Sequence, residues 1–448
     1  MKRNLACLAS ALVLAACQTP PMADVSPDLL AGAYPHAQPI DERTAADLEW
    51  EAVFTDARLR QLTALALASS RSLRIAVLDA QAAQAQLQVQ RAAFWPQVSA
   101  TGDYTRGRLA GAAVGPGQRA PLTEQAGVGL GLTAFELDLF GRVRAQSDSA
   151  FASYLAAEEG ASAARIALVA TVADAYVATL AAKEQASLIE ASLADWRQSR
   201  ALTQSLFDVG RAGADELALA QAQVKGAEAE MEGARRAVDV AVNALTLAVG
   251  APLPEDLPPE PTLASRPILT ELPAGAPSDL LTRRPDIRAA EHQLSAAKAN
   301  VRAARAAFFP QISLTGAMGF ASGDLDNLFD ESGKTWSFAP RVSLPIFDGG
   351  RLQGQLDLAA VRSDSAVAAY ELTVQRAFAE VADRLAGRAT FGRQVAAQEE
   401  AVSATERRHD LAEARYKAGM SSRLELLDAQ RALYASRQTL VQLRAAEL

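Results

Sequence analysis

"FFPQISLTGAMGF", residues 308–320, is the stretch whose reading decides the fold. After Pro310 the apolar positions alternate with small or polar ones. Ile312, Leu314, Gly316, Met318 and Phe320 fall on one side of a strand, and Gln311, Ser313, Thr315, Ala317 and Gly319 on the other. The chain on both sides is Ala-rich and reads as long helix. A largely helical protein is therefore interrupted by one strand whose apolar face needs a partner.

The stretch has a twin. "FWPQVSATGDY" at 94–104 matches "FFPQISLTGAM" at 308–318, "LDLFGRVRAQ" at 137–146 matches "LPIFDGGRLQGQ" at 344–355, and "LFDVGRAGADELALAQAQV" at 206–224 matches "RYKAGMSSRLELLDAQRAL" at 415–433. Three matches in one order at nearly one separation are a duplication. Residues 57–250 form the first repeat and 279–448 the second. The Pro-rich segment 251–278 links them, and 17–56 is an extended N-terminal segment.

Proline bounds the helices. None occurs between Leu122 and Ala251, or from Ile346 onward, and a proline inside a helix costs about 3 kcal/mol. Each repeat predicts a helix (57–93, then 286–307), a strand (97–106, then 311–320) and a second strand (126–134, then 336–346). A long helix follows (141–207, then 351–416), then a turn at Gly210 or Gly419 and a return helix (214–249, then 422–446). At 1.5 Å per residue each long helix reaches roughly 100 Å.

In the last predicted strand Trp336, Phe338, Pro340, Val342, Leu344 and Ile346 share one face. Strands of about 9–11 residues match a tilted crossing of a bilayer, with lipid on the apolar face and water on the other. A half-buried sheet of a soluble domain shows the same alternation. Four strands cannot close a barrel, and lipid does not tolerate open edges, so a membrane reading requires several copies to share one barrel. Three copies give twelve strands and four give sixteen. In the last helix Leu426, Leu433 and Leu440 form one seven-residue row, and Leu427, Tyr434 and Val441 a second beside it. Two such rows suit a helix gripped by a neighbour on each side.

The chain has 448 residues and a formal charge of −8, with Arg far outnumbering Lys; this argues against a nucleic-acid binder. No run approaches the ~18–20 apolar residues of a spanning helix. The N-terminus, "MKRNLACLASALVLAACQTP", carries a positive start and a short apolar stretch, the pattern of a secretory signal over residues 1–16. Loss of that segment removes Cys7 and leaves Cys17 as the mature protein's one thiol. His36, His292 and His409 are scattered, so no metal site is expected. No nucleophile elbow or phosphate-binding loop is present, and no enzymatic activity is expected.

"FELDLFGRVRA" (135–145), "DLLTRRPDIRAAEHQL" (279–294), "ARAAFFPQISLTG" (304–316) and "LPIFDGGRL" (344–352) together resemble the TolC-like outer-membrane channels, and among them the NodT/OprM-type efflux lipoproteins. The resemblance runs from Cys17 to the end of the chain. It implies a mainly α fold with membrane β structure: a homotrimer with a twelve-stranded β-barrel, four strands per protomer, continuous with a twelve-helix periplasmic α-barrel. Ile312, Leu314, Phe320, Trp336, Phe338, Val342 and Leu344 would face outer-membrane lipid. "LAAC" (14–17) resembles a lipobox, so Cys17 would carry a covalent lipid, and no other cofactor is implied. Gln18 after it points to the outer membrane.

Family members are exit ducts of tripartite pumps, with a periplasmic adaptor and an inner-membrane transporter, often of the resistance–nodulation–division class, as partners. They close at the turns between long and return helices. Here those turns carry Gly210, Gly213, Gly419, Ser421 and Ser422, which would also meet the adaptor. Glu425 and Asp428 align with the acidic residues of the family's aperture, with Glu216 at a similar point and Tyr416 matching an aromatic of the closing network. Ser421 stands where some members have a constricting Arg, a role open to Arg423 or Arg211. A protein-secretion duct of the same architecture and a pore-free, lipid-anchored coiled-coil scaffold are the alternatives.

Overall fold

The computed structural model describes residues 34, 48–108, 122–270 and 279–448. The predicted signal sequence and Cys17 lie outside them, as does the end of the inter-repeat linker. The elements are α1 (Trp50–Val53), α2 (Ala57–Ser69), α3 (Arg71–Ala92), β1 (Val98–Arg108), β2 (Leu122–Leu137), α4 (Arg142–Asp208), α5 (Ala214–Val249), α6 (Asp279–Arg283), α7 (Pro285–Ala306), β3 (Gln311–Ser322), β4 (Lys334–Ser343), α8 (Arg351–Lys417) and α9 (Arg423–Glu447). The two long helices are 67 residues each, and both begin at an arginine. An aspartate caps each of them: Asp138 accepts from the backbone N–H groups of Val143 and Arg144, and Asp348 from those of Gly350 and Leu352.

One predicted helix is broken and the other forms as expected. The helix expected over 57–93 stops at Ser69 and restarts at Arg71, because Ser70 is extended and its hydroxyl accepts from the Leu73 N–H. Ser69 meanwhile turns its hydroxyl onto the carbonyls of Leu65 and Val249. The helix expected over 286–307 is preceded by the short α6, and Pro285 forces the break between them. The strands run longer than expected in three cases, and β4 ends earlier. β3 begins after Pro310, so Gln311 pairing with Ser343 closes the ladder. Leu344 and Ile346, expected on the strand face, therefore lie beyond β4, where Pro345 cannot donate to a ladder.

The chain forms two compact units that cut across the repeats. The first takes residues 79–159 and 288–372 and holds the sheet, with strands in the order β1-β2-β3-β4, all antiparallel. One extra residue in β2 between Leu132 and Phe135 makes a bulge, at which Ala134 takes a positive φ of 41°. The bulge restores the phase: Leu132 and Phe135 stay on one face although an odd number of steps separates them.

The second unit takes the remaining helical segments, including residues 48–78, 160–287 and 373–448. Its main core joins α2 (Leu59, Leu62, Ala66), α4 (Leu168, Val172, Tyr176, Leu180) and the end of α5 (Leu245, Val249). Against expectation, α4 is long and apolar enough, by length and composition alone, to cross a membrane. Part of this apolar stretch, Leu168, Val172, Tyr176 and Leu180, is buried in this core, while Ile166 is exposed. The two rows of α9 are gripped on both sides, as predicted. Leu440 packs with Val395 and Val402 and Leu426 with Ala412, all on α8. Tyr434 meets Trp196 of α4 edge-on, with centroids 5.7 Å apart, and Val441 joins the main core.

Candidate functional site

Two places bear on function: the sheet and the helix turns. In the sheet, cross-strand partners share a face. Ile312 opposes Val342 and Leu137, Leu314 opposes Pro340 and Phe135, Met318 opposes Trp336 and Leu130, and Phe320 opposes Val128. Val98, Ala100 and Tyr104 of β1 continue this face. The opposite face carries Ser99, Thr101, Asp103, Gly127, Gly129, Thr315 and Ser337.

Neither face is covered by a helix among the described residues. Trp336 is 82% exposed, and Phe338, Val342, Met318, Leu130 and Val98 are exposed too. Ile312, Leu314 and Phe320 are half-buried, the last against the Phe329 ring 5.7 Å away. A soluble sheet buries its apolar face on a core, and this one does not. Exposed aromatics also mark every junction between helix and strand: Phe94 and Trp95 before β1, Phe140 after β2, Phe309 before β3 and Phe347 after β4. Phe140 and Phe309 stack with centroids 5.0 Å apart. A band of apolar side chains with aromatics at its border is the surface a bilayer solvates.

At the turns, sequence dictates the backbone. Gly210 and Gly419 have φ of 70° and 73°, the left-handed conformation that ends a helix. Gly210 N–H donates to the Phe207 carbonyl and Arg211 N–H to that of Leu206; Gly419 and Met420 do the same to Tyr416 and Arg415. Both turns thus close the same pair of backbone bonds. Gly213 precedes α5 as its N-cap, with Asp215 and Glu216 in the first turn. Ser422 caps α9 by accepting from Glu425 N–H at 3.3 Å, and the Ser421 hydroxyl is buried without a hydrogen bond.

The predicted aperture residues come together only in part. Arg423 is 4% exposed, its guanidinium donates to the Ser199 hydroxyl of α4, and it lies 5.9 Å from the Tyr416 ring centroid. Burial lowers its pKa from the ordinary value, against the opposing pull of Tyr416 and Glu216. It is thus a tie within the protomer rather than an arm free to constrict an opening. Glu425 accepts from Arg415 at 3.1 Å, and Asp428 pairs with Arg408. Arg211 is exposed at the first turn and enters no ion pair among the described residues.

Sequence reading missed Arg415, Arg408 and Ser199. For Arg415 a signal existed, since in a hairpin folded about Met420 residues 415 and 425 face each other. None existed for Ser199, which is 224 positions from Arg423.

The family model described as "Outer membrane efflux protein" matches residues 62–251 and 276–448. The chain belongs to the outer membrane efflux protein family. It is 42% identical to the probable efflux pump outer membrane protein TtgC of Pseudomonas putida, over 90% of this chain and 83% of that protein. It is also 42% identical to the outer membrane protein OprJ of Pseudomonas aeruginosa, over 96% of this chain and 90% of the relative. Among solved structures, the open state of the Neisseria gonorrhoeae MtrE outer membrane channel superposes with a TM-score of 0.85 at 36% identity, covering 96% of this chain and 95% of that one. As an outer membrane efflux protein the chain is an exit duct at the outer membrane.

Proposed function

We propose that three copies of this efflux protein close into one duct, which passively conducts small molecules out of a tripartite pump. Twelve strands would form the barrel in the outer membrane, and the long and return helices a periplasmic tunnel. The lipid on Cys17 would anchor it. An adaptor would dock at the turns around Gly210, Gly213, Gly419, Ser421 and Ser422, and a resistance–nodulation–division transporter would supply the energy.

The observation that carries this reading is the four-stranded sheet whose apolar face is bare and whose outer edges, β1 and β4, pair with nothing among the described residues. Lipid forbids such edges in an isolated protomer, so copies must pair them. Relatives named for antibiotic and solvent efflux suggest small apolar molecules as cargo. Light scattering and negative-stain imaging of the detergent-purified protein test the assembly: three protomers with threefold end views are expected. Monomers that need no detergent would overturn it.

A further inference from the structure

One groove in the second unit belongs to neither the sheet nor the turns. Its volume is about 950 Å³, within the range of small-molecule sites. The floor is one stripe of α4, Ile166, Ala170, Ala173 and Val177, whose steps of four, three and four keep them on one helix face. Trp50 and Phe54 of α1, Ile268 of the linker and Ala445 of α9 also line it. On the neighbouring stripe of α4, Leu168, Val172 and Tyr176 are closed off in the core, whereas Ile166 stays 59% exposed. Alanine at two floor positions leaves space of the kind that Leu168 and Val172 fill on their own stripe. From Arg165 to Val177 the groove runs roughly 18 Å along α4.

Charge marks one end of it. Three arginines line the groove, Arg165, Arg283 and Arg284, against one acid, Asp174. The ion pairs Arg302–Asp148 at 3.3 Å and Arg288–Glu159 at 2.6 Å hold α7 antiparallel to α4. Continuing that register by one turn from Arg288 sets Arg284 level with the turn of α4 that carries Arg165, so the cations gather at one end. Asp174 is about 14 Å further along α4. Arg284 is shared between Asp286 and Glu380, while Arg165 is exposed and enters no ion pair among the described residues.

We propose that this groove binds a long-chain organic anion of the fatty-carboxylate class, with its head at Arg165 and its chain along the alanine floor. An extended acyl chain matches the length of the groove, and a single ring would leave most of it bare. The carboxylate supplies the counter-charge that Arg165 lacks, and each methylene leaves water for the apolar walls at Trp50, Phe54 and Ile268. The site is complete within one protomer, so it needs no second copy and is tested independently of the ring reading.

Trp50 reports occupancy. In protein carrying Trp95→Phe and Trp336→Phe, the remaining tryptophans are Trp50, at the groove, and Trp196, buried beside Ile189 and Leu193. Titration with dibromostearate in a neutral maltoside detergent is expected to quench Trp50 saturably, and unbrominated stearate to reverse the quenching. Methyl dibromostearate, which lacks the charge, and Arg165→Gln, at an exposed position, are each expected to weaken binding on the order of tenfold, as loss of a charge-assisted hydrogen bond does. Ala170→Phe, which fills the floor, should abolish saturable quenching with the helices intact by circular dichroism. Quenching that rises without saturation, equal affinity for the acid and its ester, or binding unchanged by the two substitutions would each overturn the site.

Discussion

Arg284 holds two carboxylates at once, Asp286 at 2.7 Å and Glu380 of α8 at 2.9 Å. Asp286 also accepts from the Ile287 N–H, and Ile287 is fully buried, so "RPDI" is a helix start locked to a long helix. Burial works against the charged Asp286, but Arg284 outweighs it and holds the carboxyl below its ordinary range. A folded-state pKa below the unfolded one gives stability that is present above about pH 4 and lost as pH falls through the folded value. Asp286→Asn is thus expected to lower stability at pH 7 by no more than about 1 kcal/mol, since both partners are partly exposed. The gap should shrink as pH falls and close once the carboxyl is protonated in the folded state as well. Thermal melts of both proteins across an acid series check this, and equal melts at pH 7 would assign Arg284 to Glu380 alone. Arg423 sets the limit of sequence reading at this scale. Its number marked it as near the turn, but its burial depends on Ser199 and Tyr416, which no local pattern links to it.

The turns and strands ask for glycine for different reasons. Gly210 and Gly419 meet nothing where a Cβ would stand, so only their positive φ resists substitution. Gly210→Ala and Gly419→Ala are each expected to cost about 1 kcal/mol in chemical denaturation, with the helices otherwise intact by circular dichroism. Gly319 differs: a Cβ there would sit 2.2 Å from the Val128 carbonyl oxygen and 2.5 Å from the Gly129 Cα. β2 and β3 approach too closely for any side chain. Gly319→Ala should therefore weaken the sheet by about 1–3 kcal/mol, while Gly107→Ala, with open space around it, should not. Resistance of the oligomer to heat in detergent would separate the two. Proline-free runs placed both ends of α4 and α8 to within one residue of the sequence expectation. The break at Ser70 was harder to read, because Ala-rich periodicity runs on across it. The bulge at Ala134 was hidden for a related reason: an added residue shifts the alternation, and a shifted phase reads as a strand end.

At the scale of the molecule, the repeats and the compact units divide the chain differently, because α3, α4, α7 and α8 each belong to both units. The repeat order was legible from three short matches, and the need for further copies from the strand count. How the turns are held was not, since the aligned acids alone suggest a ring of bare carboxylates. The structure instead gives each acid a cation from its own protomer, Arg415 for Glu425 and Arg408 for Asp428. These two pictures of the aperture predict opposite outcomes. If the ion pairs hold α9 against α8 and so keep the turns together, Arg408→Ala with Arg415→Ala should raise single-channel conductance in a planar bilayer, as should Glu425→Ala with Asp428→Ala. If the carboxylate charge itself sets passage, removing the arginines should leave conductance near its starting level and increase cation selectivity. Removing the acids should then reduce that selectivity. The pairs are exposed, and each contributes about 0.2–1 kcal/mol, so two per protomer in three protomers are enough to bias an opening of a few kcal/mol. The expected result is increased conductance from both double variants, with high salt producing part of the same increase in the parent protein.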